Sequence, residues 1–187
     1  MKKITLLVVL FTAMSLSVFA QQNVDPAGAI INHYGARSYV AGVIPQADLD
    51  RIIQAGINAP SAMNRQPWHF TVVRDNALAK KLLSNVVEGN VLIVVSTQGD
   101  GETNSSHILD CALAVQSIYL AAQALGYGSR IYTGPIGSLN KNFKGELGIP
   151  SGSNAVALVR VGMVQGPVDA VSAASSRKKA EAMVTYK

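Results

Sequence analysis

Hydrophobic positions recur at helical spacing in IPQADLDRIIQAGIN, where Leu49, Ile52, Ile53 and Ile57 share one face. Pro45 stands at the start, and Asp48 and Asp50 fall in the first turn, where negative charge suits the helix dipole. The pattern predicts a helix over residues 46–58. HFTVV (69–73) is β-rich and ends in the turn-like Arg74-Asp75-Asn76, ALAKKLLSN (77–85) reads as a second helix, and VLIVVS (91–96) as a buried strand. GDGETNSS (99–106) is a loop.

The longest apolar segment runs from Ile108 to Leu125, interrupted only by Asp110, Gln116, Ser117 and Gln123, and ends at Gly126 and Gly128. A helix apolar on nearly every face is buried in a core or in a dimer. Its four polar side chains and the lack of flanking charge argue against a membrane span. LNKNFKGEL repeats Leu139, Phe143 and Leu147 as a short amphipathic helix, and AVALVRVGMV (155–164) is a strand into which Arg160 intrudes as a charge. Residues 21–29 are polar and turn-rich, a linker or an arm. Helices and strands interleave, which predicts a mixed α/β domain of three or four strands around a central helix.

Composition narrows the picture. The chain opens with Lys2 and Lys3, an apolar run from Ile4, and the small-residue site Val18-Phe19-Ala20, the pattern of a secretory signal peptide over residues 1–20. A membrane anchor is the alternative, but the run is short and no basic flank follows Ala20. Residues 21–187 then form one exported, periplasmic domain that does not touch the membrane after cleavage. Charged residues are 14% and hydrophobic ones 49%, which excludes disorder. Loss of Lys2 and Lys3 takes the formal charge from +5 to about +3, a mild basic excess that favours an anionic ligand. No Lys/Arg stripe of the kind that tracks nucleic acid is present. Cys111 is the single cysteine, so no intrachain disulfide forms, and its apolar surroundings predict a buried, inert thiol.

Motifs for side-chain catalysis are missing. CxxC, HExxH and GxSxG are absent, and His33, His69 and His107 have no metal spacing. A dinucleotide fingerprint also fails, because Gly126 and Gly128 follow the long helix rather than a strand and Ile131 takes the third glycine position. No catalytic acid, base or metal ligand is assigned. An enzyme built this way leaves its chemistry to a bound cofactor.

INAPSAMNRQPWHFTVV followed by Arg74-Asp75 resembles the APSxxNxQPWxFxVVxD signature of the FMN-dependent nitroreductase family. Three further stretches fall in the family's order: YGARSYVAGVIPQADLDRII is similar to its amino-terminal segment, DCALAVQSIYLAAQALGYGS to its long interface helix, and SSRKKAEAMVTYK to its terminal arm. The resemblance implies an α+β fold with a mixed sheet around the long helix, in an intertwined homodimer with one FMN in each of two interface sites.

On that resemblance, Pro60, Ser61, Ala62 and Asn64 approach the flavin from the partner subunit, while Gln66, also a candidate for cofactor contact, and Trp68 lock the loop. Arg37 matches the basic residue beside the flavin pyrimidine edge, and Arg177 the arginine that grips the phosphate. Pro135, Ile136 and Gly137 match a turn whose backbone lies over the isoalloxazine. His33-Tyr34-Gly35 stands where the family carries Arg-Arg-Ser, removing one phosphate-gripping arginine and one hydroxyl, and Ser175 replaces a second basic residue of some members. The stretches 85–91 and 97–107 are short, which predicts an open site. The implied activity is two-electron reduction of a small electron-poor acceptor, nitroaromatic or quinone-like, with NADH or NADPH as a possible donor. The other reading is a flavin-binding or planar-ligand-binding module without turnover on the same fold.

Overall fold

A computed structural model of the chain describes residues 25–99, 105–165 and 176–187. The signal peptide read at residues 1–20 and the substitution at Ser175 lie outside them. The elements in order are α1 (Pro26–Ile31), α2 (Gln46–Ile57), β1 (Trp68–Val73), α3 (Asn76–Leu82), β2 (Val91–Gln98), α4 (Ser105–Ala124), β3 (Gly128–Tyr132), α5 (Ile136–Asn142) and β4 (Ser153–Gly162), with single 3-10 turns at Ala62–Asn64 and Ala180–Ala182. None of the helices among the described residues is long and apolar enough to cross a membrane.

The fold is α+β as expected, but the sheet is antiparallel rather than mixed. Its order is β1-β2-β4-β3, and all three pairings are antiparallel. β2 and β3 run in the same direction, yet β4 lies between them, so no parallel neighbours meet. β3 is a strand that the hydrophobic pattern did not predict, because GSRIY carries little apolar alternation. The supposed linker at 21–29 contains the start of α1. The amphipathic helix read in LNKNFKGEL starts earlier, at Ile136, and ends before Phe143, with Leu147 buried from the turn beyond it.

Two apolar layers flank the sheet. On one face α2 and α4 bury Leu49, Ile52, Val115 and Ile118 against Val91, Ile93 and Val159. On the other, α3 and α5 bury Ala79, Leu82 and Leu139 against Leu92, Val94 and Leu158. β2 is covered on both sides, which is why its sequence reads as a continuous apolar run. Val95 pairs with Ala157 and Ser96 with Ala155, so Val156 is the extra residue of a β-bulge and packs on the same face as Ala157. Gly56 permits the close approach of α2 to α4, because a Cβ there would lie 2.7 Å from Ile118 Cδ1.

Cys111 is fully buried, and burial pushes its thiol up to about 11, the inert state its surroundings predicted. Arg160 is 2% exposed. Its Nε donates to Asn90 Oδ1 at 2.8 Å, Nη1 to Asn85 Oδ1 at 3.2 Å and Nη2 to the Asn85 carbonyl at 3.0 Å. The guanidinium stacks 3.9 Å from the Tyr39 ring centroid. Neutral amides thus hold a buried cation and fasten the 83–90 connection to the sheet.

Candidate functional site

The loop after α2 is held in an unusual backbone. Met63, Asn64 and Gln66 have φ values of 55°, 54° and 50°, in the left-handed region that side chains rarely adopt. Local bonds compensate for that strain. Asn64 N donates to the Ser61 carbonyl at 3.0 Å, Gln66 N to Ser61 Oγ at 3.0 Å, and Gln66 Nε2 to Asn64 Oδ1 at 3.1 Å. One bond leaves the loop: Ala62 N donates to Asp110 Oδ1 at 2.9 Å, near the start of α4. Asp110 is 4% exposed, and its Oδ2 is buried without a hydrogen-bond partner among the described residues. Gln66 therefore ties the loop internally, as expected, and Trp68 stacks on Phe70 with centroids 6.3 Å apart while packing on the α4 side of the sheet.

The second group lies at the opposite end of α4. Gln123 clamps the Tyr34 peptide, accepting from Tyr34 N at 3.2 Å and donating to its carbonyl at 2.9 Å. Ala36 N donates to the Ser129 carbonyl of β3 at 2.9 Å, and Ser129 Oγ donates to the Tyr119 carbonyl at 2.7 Å. His33 Nδ1 donates to the Ile30 carbonyl, and the His33 ring meets Tyr119 edge-on at 5.5 Å. Arg177, from the terminal arm, is close enough to Tyr119 to favour its phenolate, although burial wins and raises the hydroxyl pKa. His33, Tyr34, Gly35 and Arg177 are thus brought together. Tyr34, Gly35, Arg37, Tyr39 and Val164 line a cleft of about 440 Å³ beside them.

Tyr39 is seated over a cross-strand glycine pair. Gly128 faces Gly162, and Cβ atoms there would lie 3.4 Å and 2.9 Å from the Tyr39 ring. Burial raises the Tyr39 hydroxyl well above its ordinary range, against the lowering influence of Arg160 and Arg130. Its oxygen has no hydrogen-bond partner among the described residues. Pro135, Ile136 and Gly137 form the start of α5, where Ile136 packs under the sheet and Gly137 is open, with nothing within 4 Å of a Cβ built on it.

The residues expected from the sequence therefore fall into separate groups within one chain. Pro60, Ser61, Ala62, Asn64 and Gln66 belong to the Asp110 end of α4, and His33 to Arg37 with Arg177 to the Gln123 end. Thirteen helical steps separate those anchors, about 20 Å at 1.5 Å each. Sequence reasoning missed Asp110, Gln123 and Arg130. The first two were visible as the rare polar positions of an apolar helix, but nothing in the pattern showed what they hold.

The sequence model described as the nitroreductase family matches residues 30–98 and 85–163. The chain belongs to the nitroreductase family. It is 34% identical over 136 residues, 67% of this chain and 78% of the relative, to an Archaeoglobus fulgidus protein whose provisional name is NADH dehydrogenase/NAD(P)H nitroreductase. A Desulfitobacterium hafniense nitroreductase solved with bound FMN superposes with a TM-score of 0.71 at 23% identity, over 86% of this chain and 97% of that one. A Bacteroides fragilis nitroreductase with bound FMN gives 0.68 at 22%, over 88% and 100%. At that identity the two structures establish the shared fold.

Proposed function

We propose that this nitroreductase is an exported, periplasmic, FMN-dependent NAD(P)H oxidoreductase. It acts as a homodimer and reduces small electron-poor acceptors, nitroaromatic or quinone-like, by two electrons. The observation that supports the reading is a preset amide loop at 61–66 at one end of α4 and an arginine-bearing cleft at 33–37 at the other, in a chain of this family.

The residues fit FMN by their chemistry. Arg37 and Arg177 offer forked donors for a phosphate or for a negatively charged ring edge. Asn64 and the loop backbone supply neutral donors and acceptors of the kind a pyrimidine needs. The exposed peptide at Gly137 presents a flat surface without a Cβ. FMN, when bound, supplies the electron transfer that no side chain here can perform. The protein's part is to bind, to orient, and to set the field around the ring.

The dimer follows from where the halves sit. A second copy is needed to bring a 61–66 loop against a 33–37 segment, because one chain holds them at opposite ends of α4. Leu109 and Leu113, 66% and 46% exposed, form an apolar face of α4 turned away from its own core. That face is the surface through which two α4 helices would meet.

The test is direct. The purified protein should quench FMN fluorescence on titration, elute as a dimer, and bleach its bound flavin with NADH or NADPH under anaerobic conditions, with colour restored by a nitroaromatic or a quinone. FMN that fails to bind would sink the proposal. FMN that binds but is not bleached by either nucleotide would favour the binding-module reading, which the His33-Tyr34-Gly35 replacement supports.

A further inference from the structure

We infer that Arg130 is an anion-binding residue of this site, supplying to the FMN phosphate the cation that His33-Tyr34-Gly35 does not. The inference rests on the FMN reading above and concerns a residue one position beyond the stretch that resembles the family's interface helix.

Three observations meet at this residue. First, the segment that should carry the charge cannot. Tyr34 and Gly35 carry no cation, and His33 turns its Nδ1 to the Ile30 carbonyl, so that ring nitrogen is already engaged. Second, Arg130 stands beside the gap. A Cβ built on Gly35 would lie 4.0 Å from Arg130 Cγ, so the stem of Arg130 borders the place where the family's serine would project. Third, Arg130 meets no counter-charge among the described residues. It pairs in register with Arg160, which sets two guanidinium groups on the same face of neighbouring strands, an arrangement that repels. Arg160 is consumed by Asn85, Asn90 and Tyr39. Arg130 touches the Tyr132 ring at 5.4 Å, and among the described residues its guanidinium donors meet no carboxylate and no hydrogen-bond acceptor.

A half-buried arginine beside a buried arginine, with no acceptor for its planar fork among the described residues, is a cost that a phosphate would remove. Two forked N–H donors match two phosphate oxygens, which is a stronger arrangement than a single imidazole can offer. The loss of the first arginine and the serine is then compensated from the adjacent strand rather than from the same segment.

The experiment compares FMN with riboflavin, which has the same ring and no phosphate, by fluorescence titration of the full-length dimer and of its Arg130→Gln and Arg130→Lys variants. Arg130→Gln should weaken FMN binding by about 10-fold or more while leaving riboflavin affinity within about twofold. Arg130→Lys should fall between, and the parent's FMN affinity should drop with added inorganic phosphate more than that of Arg130→Gln. Unchanged FMN affinity in Arg130→Gln overturns the assignment and leaves the FMN reading intact. Equal loss of both ligands also overturns it, since Arg130 would then be structural. A parent that binds neither flavin overturns the FMN reading and this inference with it.

Discussion

Replacing Asp110 by alanine should release the loop at residues 61–66. Three residues of that loop sit in the left-handed region, at a cost of roughly 1 kcal/mol each, or about 3 kcal/mol together. The bonds within the loop offset part of this, but they move with the loop and do not fix it to the fold. The bond from Ala62 N to Asp110 Oδ1 ties the loop to α4. A hydrogen bond to a charged acceptor contributes about 1.5–3 kcal/mol. Against it stands the burial of Oδ2 without a partner, worth about 1 kcal/mol in the opposite direction. The difference predicts a global loss of about 0.5–2 kcal/mol in urea unfolding with an unchanged m value. It also predicts FMN binding weakened by about 10-fold, because the loop must be re-ordered on binding. Asp110→Asn keeps an acceptor for Ala62 N and should retain most of the affinity. Parent-like stability and affinity in Asp110→Ala, or equal damage from both substitutions, would refute the reasoning.

Other expectations follow from the packing. Cys111 rises from an ordinary value of 9.0 to about 11 in the fold, so its contribution is complete below pH 9 and lost as pH climbs through 11. Urea midpoints should fall across that window by the equivalent of about 3 kcal/mol, and the fall should be smaller in Cys111→Ala. Gly162→Ala places a Cβ 2.2 Å from Asn90 Nδ2, and the forced shift should cost about 1–3 kcal/mol by thermal unfolding, with the Tyr39 wall of the cleft displaced. Arg160→Met leaves the buried Asn90 acceptor unmatched and unties the exposed Asn85, so a loss of about 2 kcal/mol is expected in urea unfolding, whereas an unchanged midpoint would mean that Asn90 finds another partner.

The sequence made some elements legible and hid others for physical reasons. The amphipathic stripe of α2 and the double-sided apolar run of β2 announce themselves, because burial imposes a period or removes one. β3 does not. Its five residues include Gly128, whose missing side chain serves Tyr39, and Arg130, so the strand is defined by its ladder with β4 rather than by its own pattern. Arg160 was visible as a misplaced charge, but its partners Asn85 and Asn90 lie 75 and 70 residues away and are ordinary polar residues in isolation. The APSxxN loop was conspicuous by composition, while the backbone strain that gives it meaning depends on a tie 48 residues distant.

The long helix explains why the site divides as it does. One face of α4 is spent on the sheet through Cys111, Val115, Ile118 and Ala122, which leaves its few polar positions to act as brackets rather than as chemistry. Asp110 brackets the loop near one end, and Gln123 brackets the Tyr34 peptide near the other. A rigid helix of this length cannot bend to bring its own two brackets together. In the proposed dimer the spacing that keeps the two groups apart in one chain makes them complementary in two, so a proline placed mid-helix at Leu113 should abolish dimerisation and flavin binding together. Gel filtration and FMN titration on Leu113→Pro would read both, and a monomeric variant that still binds FMN tightly would show that one chain suffices.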